Sequence, residues 1–271
     1  MIRLLGSEVR RLLHRRTLLW LTFVMLGLVV TIVVINVAQS DTTTLNPSDA
    51  MRTTDLWLTQ AAARRLGVDA VNRVATISVL CYIMVVVLGA TAIGAEYRAG
   101  TVTTVLTWEP RRVRLLVARL LAAAFVSMML FVVVHVVFVG GWALGAQASG
   151  VTTGTGGDFW RDLIVALLRG TLLAGMLAVL SGSFATLGRN TGAALGIWFG
   201  YLVAVEAILS PQVKATTPWI LTLNAAAFYG WEPTSLNGHT VSGGAGTVRI
   251  VLYVLVVGAA ALVTFTRRDV T

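Results

Sequence analysis

TLLWLTFVMLGLVVTIVVINVA, residues 17–38, decides the fold class. These 22 positions carry no charged side chain, and 14 of them are Leu, Ile, Val or Phe. At about −0.3 to −0.6 kcal/mol each, the 14 contribute roughly −4 to −8 kcal/mol of insertion free energy. Thr22, Thr31 and Asn36 offset only part of that. A helix needs about 20 such residues to cross the hydrocarbon of a bilayer, so 17–38 reads as a membrane span.

Working outward, comparable windows occur at 74–95, 115–140, 163–187, 191–209 and 248–266. In the fifth, the uncharged run 190–205 is interrupted by Glu206 and resumes as Ala207-Ile208-Leu209. The glycine-rich stretch from Gly140 to Gly157 follows the third window and reads as an exit loop. Composition agrees with a membrane protein. Hydrophobic residues make up 56% of the 271 positions and charged ones 12%, against roughly 25% charged in a soluble domain. The expectation is a single all-α integral membrane domain, 1–271, with six spans.

Six is an even number, so both termini lie on one side, and the Arg/Lys bias selects it. Of the 21 basic residues, 13 flank the spans on the side of the termini and eight on the other. That places both ends in the cytoplasm of a multi-pass protein of the plasma (inner) membrane. Residues 39–73 and 210–247 are then external and 96–112 internal. Within the external segments, 47–72 opens with Pro47-Ser48-Asp49 and predicts a short helix. The apolar stretch 218–229 suits a re-entrant or interfacial hairpin, because twelve residues cannot span. Residues 234–246 read as loose.

The first sixteen residues are not the n-region of a signal peptide. The apolar run after them exceeds an h-region of about 7–15 residues, and no small-x-small cleavage site follows. Leu5, Val9, Leu12, Leu13 and Arg16 recur at helical spacing, whereas Arg3, Arg10, Arg11 and His14 face elsewhere. Segment 1–16 therefore reads as an amphipathic helix in the inner membrane interface.

Several chemistries are excluded. The only lysine, Lys214, follows Pro211-Gln212-Val213 and cannot complete a phosphate-binding loop. His14, His135 and His239 are too scattered for a metal site. Ser181-Gly182-Ser183 with His135 lacks both a nucleophile elbow and an orienting carboxylate, so no catalytic residue is assigned. The arginines sit at span ends and form no nucleic-acid patch. Cys81, the single cysteine, lies in an apolar block and has no disulfide partner.

The loop 96–112 has its own start, body and stop. Glu96 and Arg98 close the second span, Gly100 permits a sharp change of direction, and Thr101 to Thr107 is long enough for two helical turns. Trp108 adds an apolar anchor, and Pro110 ends the element before Arg111-Arg112. Glu-x-x-x-Gly-Thr (Glu96, Gly100, Thr101), then a short helix, then Pro110-Arg111 entering a long third helix, resembles the permease subunit of ABC-2-type exporters with the type V exporter fold. The resemblance covers nearly the whole chain.

In that family the loop is a coupling helix docked in a cleft of a separate ATPase. The resemblance makes Glu96, Arg98, Gly100, Thr101, Thr104, Leu106 and Trp108 contact or anchoring positions. Arg119 or Arg114 stands where the family has a lysine at the start of the third span. Arginine keeps the charge and changes the hydrogen-bond geometry. The resemblance also implies no cofactor on this chain and Mg-ATP on the partner. It further implies two ABC ATPase subunits, a second permease copy or homologous permease, and contact with membrane lipids. The cargo would be a hydrophobic or amphipathic drug, lipid or peptide moved outward. The rival readings are an ion-gradient-driven transporter or channel, and a membrane anchor without transport. No internal repeat supports the first rival.

Polar groups at membrane depth are costly, about 2.5–3.5 kcal/mol for a charge, so each should face protein or water. Glu206 and His135 are candidates for a substrate pathway; the plainer readings are an ion pair of Glu206 with Arg169 and a hydrogen-bonded packing histidine. Gly192, Gly196 and Gly200 recur every four residues, a spacing for close helix packing or a dimer face, and Gly141 with Gly145 form a second pair.

Overall fold

A computed structural model describes residues 2–39, 70–101, 107, 111–149, 157–230 and 240–267. Every regular element among them is helical. Helix α1 (Ile2–Leu13) precedes the long helices α2 (Arg16–Gln39), α3 (Ala70–Arg98), α4 (Arg112–Ser149) and α5 (Gly157–Gly188). Next comes α6 (Thr191–Gly200), prolonged by a π-helical segment, Tyr201–Leu209, and a short turn, Ser210–Gln212. A 3-10 turn (Lys214–Trp219), α7 (Leu221–Tyr229) and α8 (Gly243–Arg267) complete the order. Six of the helices are long and apolar enough to cross a membrane. The protein is an all-α integral membrane protein.

The first described helix, α1, and the end of α8 both meet the start of α4, at what is called here the terminal end. Arg112, at the start of α4, donates from Nη1 to the Thr266 carbonyl near the end of α8 at 3.3 Å. The centre consists of α3, α4 and α5. Around it, α2 presents Trp20, Phe23 and Val34 outward and buries Met25 and Val29. A helix with apolar residues on both faces belongs in hydrocarbon.

Backbone approach, not bulk, joins α3 to α5. A Cβ added to Gly89 would lie 2.5 Å from the Ala178 carbonyl oxygen; one on Gly94 would lie 2.4 Å from the Thr191 nitrogen, where α3 meets the start of α6. Ser181 donates across the α3–α5 seam to the Val86 carbonyl at 2.6 Å. Small residues permit such contact where lipid supplies no hydrophobic drive between helices.

Some sequence expectations require correction. Helix α4 continues to Ser149, past the exit loop expected from Gly140, and a Cβ added to Gly141 would lie 3.2 Å from the Val33 side chain, so glycine there lets α4 approach α2 closely. Helix α8 starts at Gly243, inside the stretch expected to be loose. Among the described residues Gly196 and Gly200 pack on no other helix, since an added Cβ at either meets nothing within 4 Å and both are exposed; the dimer-face alternative concerns a second chain. Gly192 meets only the Asn190 side chain. The short helix expected within 47–72 falls mostly outside the described residues; 70–72 belong to α3.

The chain reverses at Val213 through Ile220. Helix α8 holds that reversal from outside. Arg249 donates from Nη1 to the Pro218 carbonyl at 2.8 Å and lies over the Trp219 ring, and Tyr253 donates to the Trp219 carbonyl at 2.7 Å. Asn224, fully buried, donates to the Pro218 and Ile220 carbonyls at 2.9 and 2.6 Å. Helix α7 stops at Gly230, whose φ of 101° needs glycine.

Candidate functional site: a buried charge cluster and a cavity

At the terminal end, α1 places Leu12 in the core, with Leu5, Val9 and Leu13 packed against it. Arg3, Arg10 and His14 are exposed. Two residues depart from the sequence reading. Arg16 is exposed and not part of the buried stripe, and Arg11 turns inward. The reason is Glu8, three residues from both Leu5 and Arg11 on the inward face. The Glu8 side chain is only 7% exposed and forms an ion pair with Arg11.

This pair belongs to a larger cluster. The Glu96 side chain, at the end of α3, is 4% exposed. Its Oε1 accepts from Arg15 Nη2 at 2.8 Å and lies 2.5 Å from Arg11 Nη2. Its Oε2 lies 2.6 Å from Arg119 Nη1, an ion pair off the line of a hydrogen bond. Arg119, also 4% exposed, lies 3.6 Å through Nε from Glu8 Oε1. Arg15 additionally donates to the Thr91 and Ala92 carbonyls at 3.3 and 3.2 Å. Three guanidiniums and two carboxylates thus join α1, the end of α3 and the start of α4. Ions so far out of water persist only when mutually paired.

Of the positions expected to engage a partner ATPase, the structure describes four. Glu96 is buried and so anchors the loop. Arg98 is exposed at the end of α3. Gly100 has φ of 67°, a left-handed conformation that glycine adopts freely just past the end of α3. The Thr101 hydroxyl donates to the Glu96 carbonyl at 3.5 Å, tying the loop back to the cluster. Thr104, Leu106 and Trp108 lie outside the described residues.

The second feature, in the half of the bundle away from the termini, is a cavity of about 300 Å³ among α3, α5, α6 and α7. Its wall includes Ser78, Tyr82, Leu173, Trp198, Thr222 and Tyr229, with no charged side chain. Neither pathway candidate lines it, yet each is bonded to a residue that does. His135 is buried and stacked on Phe131, ring centroids 3.8 Å apart. Its Nδ1 donates to the Phe131 carbonyl at 2.8 Å, so Nε2, 2.9 Å from the Ser78 hydroxyl, accepts from it.

Among the described residues Glu206 makes no ion pair with Arg169, which corrects the expected pairing. The carboxylate instead accepts from the Thr222 backbone N–H at 3.1 Å and from the Thr222 hydroxyl. Ile220, at the N-cap of α7, has no side-chain oxygen to offer. Tyr201 supplies the other cap, accepting from the Leu221 N–H at 3.1 Å. With i→i+5 bonding, residues five apart in the π segment stack along one edge. Tyr201 and Glu206 therefore reach successive N–H groups of α7. A carboxylate at a helix N-terminus is also favoured by the dipole.

Sequence reasoning missed Glu8, Arg15 and Tyr201 as partners. Glu8 had a readable signal, a carboxylate in the apolar stripe of an amphipathic helix. Tyr201 had none, since α-helical spacing sets it apart from Glu206. Curated proteins provide no match to this chain. The family model described as ABC-2 family transporter protein matches residues 3–270. The chain belongs to that family and is a multi-pass permease subunit of an ABC transporter.

Proposed function

We propose that this permease exports a hydrophobic or amphipathic molecule across the plasma membrane, driven by ATP hydrolysed on a separate subunit. Both termini and segment 96–112 face the cytoplasm in this reading. Two ABC ATPases, carrying Mg-ATP, grip 96–112 on a pair of permeases formed by this chain with a second copy or a homologue.

The observation that supports it most is the buried ion cluster at Glu96. It gives the loop a rigid root, so force applied at 98–108 is delivered to α1, α3 and α4 together. A loop that served only to connect α3 with α4 would not require three arginines against one carboxylate at its base. ATP binding and the permease conformation are then reciprocally linked, and a transported molecule changes the ATPase rate.

Deletion of 99–107 should release a co-purifying ATPase while the permease remains monodisperse in detergent. Retained ATPase after the deletion would overturn the coupling role. Orientation is checked by Thr101→Cys, because Cys81 is buried; a membrane-impermeant thiol reagent should react only in inverted vesicles.

A further inference from the structure

Val79 and Ile83, four residues apart on one face of α3, and Phe199 on α6 line the cavity and are 43–49% exposed. They frame a slot between α3 and α6 on the apolar flank of the bundle. Behind it, Leu173, Leu177 and Trp198 are 1–6% exposed and close the floor. On α3 the lining runs from Ser78 to Val86, about 12 Å at 1.5 Å per residue. These positions fall in the half of the span Ile77–Arg98 away from the termini. The slot therefore faces the hydrocarbon of one leaflet and lies along a helix that crosses the bilayer, as acyl chains do.

The wall is almost entirely apolar, and the hydroxyl groups its residues carry are bonded within the chain. Ser78 is bonded to His135, Tyr82 donates to the Gly170 carbonyl, and Thr222 donates to Glu206. The Trp198 indole nitrogen is sealed off. A charged or hydrogen-bonding guest would lose its hydration with nothing to replace it. Water would lack the two to four polar partners it needs. An apolar cavity of about 150 Å³ stays dry and takes up benzene, so the ~300 Å³ here has room for roughly a dozen carbon atoms. That is too little for a two-chain lipid and enough for the end of one chain.

We propose that this cavity takes the end of one acyl chain of a bilayer lipid, entering sideways between α3 and α6 while the headgroup stays in the bilayer. The site selects by chain and ignores the headgroup, because its attraction is the sum of many dispersion contacts. The inference narrows the guest class of the permease reading and rests on that reading only for the guest being cargo.

The test uses the full chain in phosphatidylcholine nanodiscs, without ATP or ATPase, so its failure would leave the permease reading standing. The probe is phosphatidylcholine with a diazirine at the end of one chain, and cross-linked residues are identified by mass spectrometry. Lipid around the protein reaches Trp20 and Phe23 on α2, both exposed, but not the buried floor. Label should appear on 173–177 and 198 as well as on 20–23. Ala225→Phe, filling the cavity from a half-buried position, should remove the floor label and leave that on 20–23 unchanged. Ala226→Phe serves if that variant is not monodisperse. Carrying the probe on phosphatidylethanolamine or phosphatidylglycerol should give the same floor label. At equal mole fraction, dodecane should displace it and hexane should displace less. The proposal is overturned by floor label that survives in the filled variant or follows the headgroup, or by hexane displacing as well as dodecane. Label on α2 alone, the result if a second copy covers the slot, overturns it too.

Discussion

The two ends of α3 are held by opposite chemistry. Near its end at Arg98, Glu96 is buried and gripped by three guanidiniums, of which Arg119 is buried with it. Some eighteen residues earlier, Ser78 and Tyr82 border a cavity whose wall is almost entirely apolar. Where polar capacity is consumed within the chain, as around Glu96, the region fixes geometry. Where the wall is apolar, as around Trp198, it offers a guest shape and apolar contact. Counting polar residues would not separate the two regions; following each bond does.

The largest effect expected from substitution lies in the cluster. Glu96→Gln leaves three arginines against Glu8 alone. Breaking a buried pair by removing one partner costs about 3–5 kcal/mol, so the melting temperature in detergent should fall sharply. An additional Arg119→Met should restore part of the loss. If the double variant is no more stable than Glu96→Gln, the two residues are not coupled and the contrast between the ends of α3 weakens.

Next comes the seam with α5. Gly89→Ala forces a methyl against the Ala178 backbone, and overpacking of this kind costs about 1–3 kcal/mol. Gly196→Ala meets open space and should be neutral or gain up to about 1 kcal/mol from helix propensity. Equal losses from the two would show that the outward glycine stripe packs against something in the isolated chain.

The smallest effect is expected at the cavity's border. Glu206→Gln keeps an oxygen for the Thr222 N–H, turns its contact with the Thr222 hydroxyl into one the amide can donate, and loses the charge at the α7 N-terminus, about 0.3–1 kcal/mol. Transport in reconstituted vesicles should be little changed. A large loss of transport with unchanged thermal stability would return Glu206 to the substrate path.

The spans were legible because hydropathy over twenty residues is a strong, local signal, and Thr17 to Ala38 carries it without interruption. Local chemistry also made Gly100 legible as a turn. The cluster was only half legible. Glu96 and Arg119 could be named, but their bonds required α1 to fold against α4, which depends on contacts more than seventy residues apart. The close helix approaches were not legible for a related reason. Regular spacing drew attention to Gly192, Gly196 and Gly200, whereas the close approaches occur at Gly89 and Gly94, where nothing in the spacing singles them out. Periodicity reports a face, and only the partner helix reveals whether that face is used.

Backbone contact between α3 and α5 has a mechanical consequence. Helices touching at Gly89 and Ala178, and pinned by Ser181 to Val86, cannot slide past one another without first lifting apart. They travel as a single rod. From Glu96 to Ser78 that rod is about 27 Å long at 1.5 Å per residue, so a tilt imposed at the charged foot arrives at the cavity wall as a sideways stroke, undiluted by bending.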